Sequence, residues 1–286
     1  MKNIIEIKNM SYRYPVSDDF CLKNITFSIQ KGAFTAIVGN NGAGKTTLCN
    51  AIRGFVPHFY KGELAGEVIV DGKQIIDYQL GQLGEKIGYV FQNPFSQISG
   101  VKDSVFNEVA YGLENLGVPV DEIIQRVEDV LKLVNIEHLR EKNPFELSGG
   151  QRQRVALAAI IVMNPDILVI DEPTSQLDPI GTEAIFDVIR LMKERGKTVL
   201  LVEHKMDLIA EYADNILVLH EGALVMQGPV REVFSDPKYS TFNIQYPHVT
   251  EVALNLIEIG VPLKFIPIRN EELTKALEME WEENND

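Results

Sequence analysis

Residues 34–47 read FTAIVGNNGAGKTT, and this stretch decides the architecture. FTAIVG at 34–39 is a short apolar run closed by glycine, the composition of a buried strand. GNNGAGKTT at 39–47 then fits G-x-x-x-x-G-K-[ST] and runs into LCNAIRGF at 48–55, so the motif lies between a strand and a helix. Gly39, Gly42 and Gly44 let the backbone wrap closely around an anion, with successive N–H groups and the positive helix end facing it. Lys45 supplies a mobile charge for β- and γ-phosphates, Thr46 a hydroxyl for one octahedral position on Mg²⁺, and Thr47 a hydrogen bond to an α-phosphate. Asn40, Asn41 and Ala43 complete the cradle. Average composition would produce this pattern by accident in about one chain in a hundred of this length, so a phosphate cradle outweighs an ordinary glycine-rich turn.

Around this loop the chain divides by pattern. IIEIK at 4–8, ITFSI at 25–29, EVIVDG at 67–72 and IGYVF at 87–91 make the first third mostly β. Between about 94 and 162 the period changes: VDEIIQRVEDVLKLV at 120–134 places Ile123, Val127, Val130, Leu131 and Val134 on one helical face. Apolar runs return as DILVID at 166–171, TVLLVEH at 198–204 and DNILVLH at 214–220, alternating with helical segments. That alternation predicts an α/β fold with a buried parallel sheet and crossovers. Beyond 235 the pattern changes again. Val249, Val252, Ala253, Leu256 and Ile257 share one helical face, and Leu273, Ala276, Leu277 and Trp281 another, so 236–286 reads as a small appended element ending in the acidic EMEWEENND.

Composition narrows the function. Among 286 residues, 27 lysines and arginines face 41 aspartates and glutamates, a formal net charge of −14, and phosphate backbones are bound by an excess of the opposite sign; no nucleic-acid partner is expected. Cys21 and Cys49 form no Cys-x-x-Cys pair, which suggests neither a zinc site nor a disulfide framework. The most hydrophobic stretch, VALAAIIVM at 155–163, falls well short of the roughly 20 residues that cross a bilayer, and MKNIIEIKNM lacks the apolar core of a secretory signal. A chain that stays on the side of the membrane where it is made is expected.

Two further stretches carry chemistry. DILVIDEP at 166–173 delivers Asp171 and Glu172 at the C-terminal end of a strand, where open α/β sheets bind ligands. Asp171 suits Mg²⁺, held through water, and Glu172 suits polarising a water for attack on a γ-phosphorus. LSGGQRQR at 147–154 opens a helix with glycine-flanked N–H groups and a serine hydroxyl, the equipment of a second phosphate contact.

At this point the sequence resembles the nucleotide-binding subunits of ABC transporters, whose signature motif is LSGGQ, here Leu147, Ser148, Gly149, Gly150 and Gln151. The resemblance runs in order over about residues 3–235. It implies a P-loop NTPase: a RecA-like core sheet flanked by helices, an antiparallel β subdomain, an α-helical subdomain at about 94–162, and a C-terminal extension at 236–286. It further implies ATP and Mg²⁺ as ligands. Tyr14 in YRYP resembles the aromatic that stacks on adenine, although Tyr12 lies on the same strand face and stays an alternative. Gln92 in YVFQNP resembles the glutamine that senses Mg²⁺ and the attacking water, so Thr46, Gln92 and Asp171 form the implied metal set. SQLD at 175–178, with Asp178, occupies the D-loop position, and His204 in LVEHK that of the γ-phosphate histidine. Two departures stand out: Gln176 where alanine is commoner, and Glu203-His204-Lys205 where threonine-histidine-aspartate is commoner.

In such proteins the signature of one subunit closes over the nucleotide held by the other's phosphate loop. The resemblance therefore implies a head-to-tail partner, either a second copy or a related ATPase, with Ser148 and Gly150 acting on the partner's ATP and Glu172 and His204 catalytic. It also implies separate transmembrane scaffold and substrate-binding subunits, met at the cytoplasmic face of the cell membrane through a groove at about Gln92–Asn115. QNPFSQ at 92–97, NEVAYGLENLGV at 107–118 and DEPTSQLDP at 171–179 look most like the ATPases of energy-coupling factor importers of micronutrients, with the C-terminal element as a dimer-stabilising tail. Another ABC importer or exporter, and a soluble ABC-type ATPase acting on DNA or ribosomes, are the alternatives. The last predicts a basic surface or a long coiled-coil insertion, and neither is in the sequence.

Overall fold

A computed structural model describes residues 2–15, 17–175 and 177–283, with residues 279–283 described by their backbone only. The strands are β1 (Asn3–Arg13), β2 (Leu22–Gln30), β3 (Phe34–Val38), β4 (Glu63–Val70), β5 (Lys73–Gln74) and β6 (Ile87–Val90). They continue as β7 (Ile167–Asp171), β8 (Thr198–Val202), β9 (Asn215–His220) and β10 (Ala223–Pro229). Two sheets result: β2-β1-β4-β5, antiparallel, and β10-β9-β3-β8-β7-β6, parallel except where β10 pairs with β9. Every residue of β3, β7 and β8 is buried, which is why FTAIV, ILVID and TVLLV read as unbroken apolar runs: one face of the sheet packs on helices, the other on the antiparallel sheet and helix Lys45–Ile52. EVIVDG proves to be the second half of β4, which begins earlier at Glu63. Asp71 and Gly72, both at positive φ (49° and 80°), make the hairpin turn into β5.

The register brings one set of strand ends together. Ile37 of β3 faces Val202 of β8, Val38 faces Val218 of β9, and Asp171 of β7 also faces Val202. The loops after β3, β7 and β8 therefore leave from one edge of the sheet.

Between β6 and β7 lie helices Val105–Asn115, Val120–Leu133 and Gly149–Ile161. Ile123, Val127, Val130 and Leu131 are buried along one face as the spacing predicts, and Val134 is buried just past the helix end. Across each fully buried residue of this kind, about 1.5–3 kcal/mol of apolar transfer holds the layer down.

The segment after 235 is tied into the main core. Tyr239, Phe242, Ile244 and Ile268 belong to the same buried cluster as Phe34, Val199 and Leu201 of the parallel sheet. The expected apolar face of helix His248–Glu258 is only half realised: Val249, Thr250 and Ala253 are buried, whereas Val252 and Ile257 are exposed. In helix Asn270–Glu283, Ala276 is buried and Leu277 exposed; Trp281 lies among the residues whose side chains are outside the description. Each short helix meets the protein on one side only, so a single line of residues, not the whole predicted face, is covered.

Candidate active site

The loop between β3 and helix Lys45–Ile52 is shaped by two glycines. At Gly39 (φ 153°) a Cβ would lie 2.3 Å from the Leu219 carbonyl oxygen, and at Gly44 (φ 99°), the N-cap of the helix, 2.7 Å from a Leu22 methyl. No other residue fits either place. Lys45, almost fully buried, turns its ammonium back into the loop, donating to the carbonyls of Gly39 (2.7 Å) and Asn40 (3.2 Å). Burial pushes its pKa below the ordinary lysine value, opposed by the nearby Glu172 and Asp171 carboxylates. Ala43 is buried and donates its N–H to Asn40, while the Asn40, Asn41 and Gly42 tip is exposed.

Asp171, buried at the end of β7, accepts hydrogen bonds on one oxygen from the Thr46 hydroxyl (3.2 Å) and the Tyr89 phenol (2.9 Å). Burial raises its pKa, against the lowering effect of those two donors. Tyr89 itself, walled in by the same core, has its phenol pushed well up and stays a donor. Glu172, next along, adopts a left-handed backbone (φ 46°), a region a non-glycine residue occupies at a cost, with its N–H held by the Val202 carbonyl at 2.9 Å. Its carboxylate meets partners other than those of Asp171. One oxygen accepts from the Gln92 amide at 2.5 Å and the other meets the His204 Nε2 at 2.7 Å. Glu172 is mostly shielded, with a side chain 19% exposed, and His204 is open at 42%.

The turn carrying His204 is built on Glu203, one of the two sequence departures. Its buried carboxylate accepts from the Thr174 hydroxyl (2.8 Å) and from the backbone N–H groups of His204 (2.9 Å) and Lys205 (3.2 Å). Glu203 and Tyr89 are the residues that sequence reasoning missed as site components. Tyr89 sat unremarked in IGYVF, although a phenol amid a fully buried strand must find an acceptor.

The two tyrosines separate. Tyr12 is completely buried, its hydroxyl donating to the carbonyls of Tyr60 and Lys61 (both 3.2 Å). Tyr14 lies just past β1, half-buried, with its hydroxyl 3.2 Å from Thr47 Oγ1 and its ring edge-on to those of Tyr12 and Tyr60.

The signature stretch is elsewhere. Ser148 caps helix Gly149–Ile161 in a reciprocal box: its hydroxyl accepts from the Gln151 N–H (3.3 Å) and the Gln151 side chain accepts from the Ser148 N–H (3.1 Å). Leu147 is buried, Gly149 and Gly150 half-exposed. Buried Arg152 braces the entry, donating to the carbonyls of Pro144, Phe145 and Leu147 and stacking 3.6 Å from the Phe95 ring centroid. Among the described residues no hydrogen bond joins 147–151 to the phosphate loop. Asp178 caps helix Pro179–Glu194 through the Gly181 N–H (2.7 Å), and Gln176 of the D-loop stretch lies outside the described residues. In the anticipated groove, Gln97 is turned inward, donating to the Ala156 carbonyl (2.9 Å), while Phe95 is exposed.

A family profile described as ABC transporter matches residues 22–175, from β2 through the phosphate loop and the signature to the turn after Glu172. The chain belongs to the ABC transporter family. Its fold is the P-loop NTPase cassette of that family, and the family's cassettes are the ATP-hydrolysing subunits of transporters. A putative ABC transporter ATP-binding protein of Pyrococcus horikoshii is 41% identical over 271 residues, covering 94% of this chain and 95% of the relative. The energy-coupling factor transporter ATP-binding protein EcfA1 of Streptococcus sanguinis is 35% identical over 279 residues, covering 97% and 98%. Among solved structures, cbiO1 of Clostridium perfringens, described as part of the ABC transporter complex cbiONQ, superposes with a TM-score of 0.75 at 36% identity, covering 91% of this chain and 98% of that one.

Proposed function

We propose that this chain powers micronutrient uptake as one ATPase of an energy-coupling factor importer. The observation that carries the catalytic part is Glu172, held between Gln92 and His204 at the sheet edge that also bears the phosphate loop. In this reading ATP lies along Gly39–Thr47 with adenine on Tyr14, and Lys45 swings from the loop carbonyls onto the β- and γ-phosphates. Asn40, Asn41, Gly42, Ala43 and Gly44 line the loop with N–H donors. Glu172 takes a proton from a water whose oxygen bonds to the γ-phosphorus as the bond to the β–γ bridging oxygen breaks, leaving ADP and phosphate. His204 fixes the carboxylate and meets the γ-phosphate.

The donor set suits Mg²⁺. Thr46 Oγ1 and Asp171 Oδ2 stand 3.2 Å apart, and a magnesium site on a nucleotide needs one or two protein oxygens beside phosphate and water. Thr46, Asp171 and Gln92 would hold the ion, which supplies charge neutralisation to the phosphates when bound.

The same proposal divides the chain into an ATPase cassette, 1–235, with its helical subdomain at about 94–162, and a C-terminal extension, 236–286, that stabilises a dimer. Leu147, Ser148, Gly149, Gly150 and Gln151 would then face ATP on a partner ATPase, with Asp178 at the seam. Among the described residues no helix is long and apolar enough to cross a membrane, and a name such as energy-coupling factor transporter ATP-binding protein for a 35%-identical relative supports docking to separate membrane subunits from the cytoplasmic side. Purifying the tagged full chain from gently solubilised native membranes and identifying stoichiometric companions by mass spectrometry tests this. A second ATPase, a scaffold membrane protein and a small substrate-binding membrane protein are expected. Two large transporter halves would move the chain to another importer or exporter class, and no membrane companion would end the transport reading.

A further inference from the structure

The Asn40 side-chain amide donates to the carbonyl of Phe242, 3.1 Å away and 202 residues further along the chain. Phe242 ends the 3₁₀ stretch Pro237–Phe242, and Asn243 behind it turns the chain in a left-handed conformation (φ 51°, ψ 40°). The Phe242 ring is buried and lies 5.4 Å from that of His220, the last residue of β9, so its carbonyl is fixed relative to the sheet. The same segment reaches the other side of the site. The Tyr239 hydroxyl contacts Met206 Sδ (3.7 Å) and the Gln245 carbonyl (2.9 Å), the His248 N–H donates to Asp207 (2.8 Å), and Arg269 donates to the Ala210 carbonyl (2.9 Å). Met206, Asp207 and Ala210 belong to the helix that follows His204.

Asn40 is itself exposed, so no burial holds it in place. Its carbonyl nevertheless accepts from Lys45 and from the Ala43 N–H (3.1 Å), two bonds that define the curvature of the loop. A side-chain bond to a fixed carbonyl orients that residue before any ligand arrives, and a loop ordered in advance does not charge its ordering entropy to binding.

We infer that Asn40 is a positioning residue through which the C-terminal segment 237–245 presets the phosphate loop, tuning ATP affinity from outside the nucleotide site. This rests on the proposal that the loop binds ATP. The test is equilibrium ATP binding and steady-state hydrolysis on the full chain. Asn40→Ala raises the ATP Kd and KM together by about five- to tenfold, the equivalent of about one hydrogen bond. Phe242→Leu, which loses the ring contact to His220, raises Kd by a smaller factor, and the double variant binds no more weakly than Asn40→Ala alone because both cut one link. Should Phe242→Leu fold poorly, His220→Ala, which removes the same ring contact from the other side, takes its place in the cycle. An Asn40→Ala Kd within about twofold of the parent, or effects that multiply in the double variant, would each overturn the inference. Failure of the unsubstituted chain to bind ATP would instead sink the phosphate-loop reading, and the inference with it.

Discussion

The two helix starts proposed to meet phosphate, at Lys45 and at Gly149, are built differently. At Lys45 the functional side chains are cross-linked to other elements: Thr46 to Asp171 of β7, Lys45 to the carbonyls of its own loop, Thr47 beside Tyr14 from the end of β1. At Gly149 the side chains close on themselves, Ser148 with Gln151, and a longer brace comes from Arg152 behind the loop. One end gathers chemistry from three strands, whereas the other presents a satisfied, half-exposed rim. If the first end acts within its own chain and the second on a partner, as proposed, the chain assembles the one and need only hold the other in shape.

The largest effect that tests this contrast is at Glu172. Glu172→Gln keeps the volume and the Gln92 neighbour but removes the proton acceptor, so turnover falls by about two to four orders of magnitude while ATP binding persists and ATP-bound dimers accumulate. Parental turnover in steady-state phosphate release would show that the gathered site is not where the chemistry happens. The next effect sharpens the other side. Arg152→Ala removes three bonds to carbonyls and the stack on Phe95, leaving buried acceptors unpaired, and thermal or denaturant unfolding registers a loss of about 2–3 kcal/mol. If stability were unchanged, the signature rim would not depend on that brace. Ser148→Ala is smaller: loss of the N-cap costs about 1 kcal/mol, and ATP affinity of the isolated chain stays at the parental value because, among the described residues, no bond ties that cap to its own phosphate loop. Weakened binding in isolated chains would mean the two ends communicate within one molecule.

Much of this was legible in the sequence, for reasons that differ between residues. FTAIVGNNGAGKTT and DILVIDEP were readable because a buried parallel strand is an uninterrupted apolar run and its chemistry appears at its end. The spacing of Ile123, Val127, Val130 and Leu131 was readable because one helix face alone is covered. Tyr89 and Glu203 were not, since Asp171, which accepts from Tyr89, and Thr174, which donates to Glu203, come from the end of the neighbouring strand β7, and only the register supplies them. The same holds for Asn40 and Phe242. The apolar face assigned to 249–257 overreached because periodicity reports which residues share a face and says nothing of how much surface is available to cover it; Val252 and Ile257 remain in water.

The smallest effect compares two aspartates at strand ends. Asp71, in the turn after β4, is flanked by Lys86 and Lys2 (both 2.9 Å), whose hydrogen bonds hold its pKa down at about 2. Asp171, at the end of β7, is raised by burial. Their pH dependences therefore have opposite signs. A lowered folded-state value means that Asp71 stabilises the protein above its unfolded value of 3.8 and that this contribution is lost as pH falls from there towards about 2. A raised value means that the contribution of Asp171 is complete below its ordinary value and is lost as pH rises through the elevated one. Asp71 and its lysines are well exposed to solvent, so screening limits its share to about 1 kcal/mol at most. Unfolding midpoints measured from pH 2 to 7 on the nucleotide-free chain should lose part of their acid-side decline in Asp71→Asn. In Asp171→Asn they should instead lose a fall on the alkaline side of pH 4. Shifts of the same sign in both variants would mean that burial does not dominate at Asp171, and that the two donors, Thr46 and Tyr89, already hold a stable carboxylate there before any cation arrives.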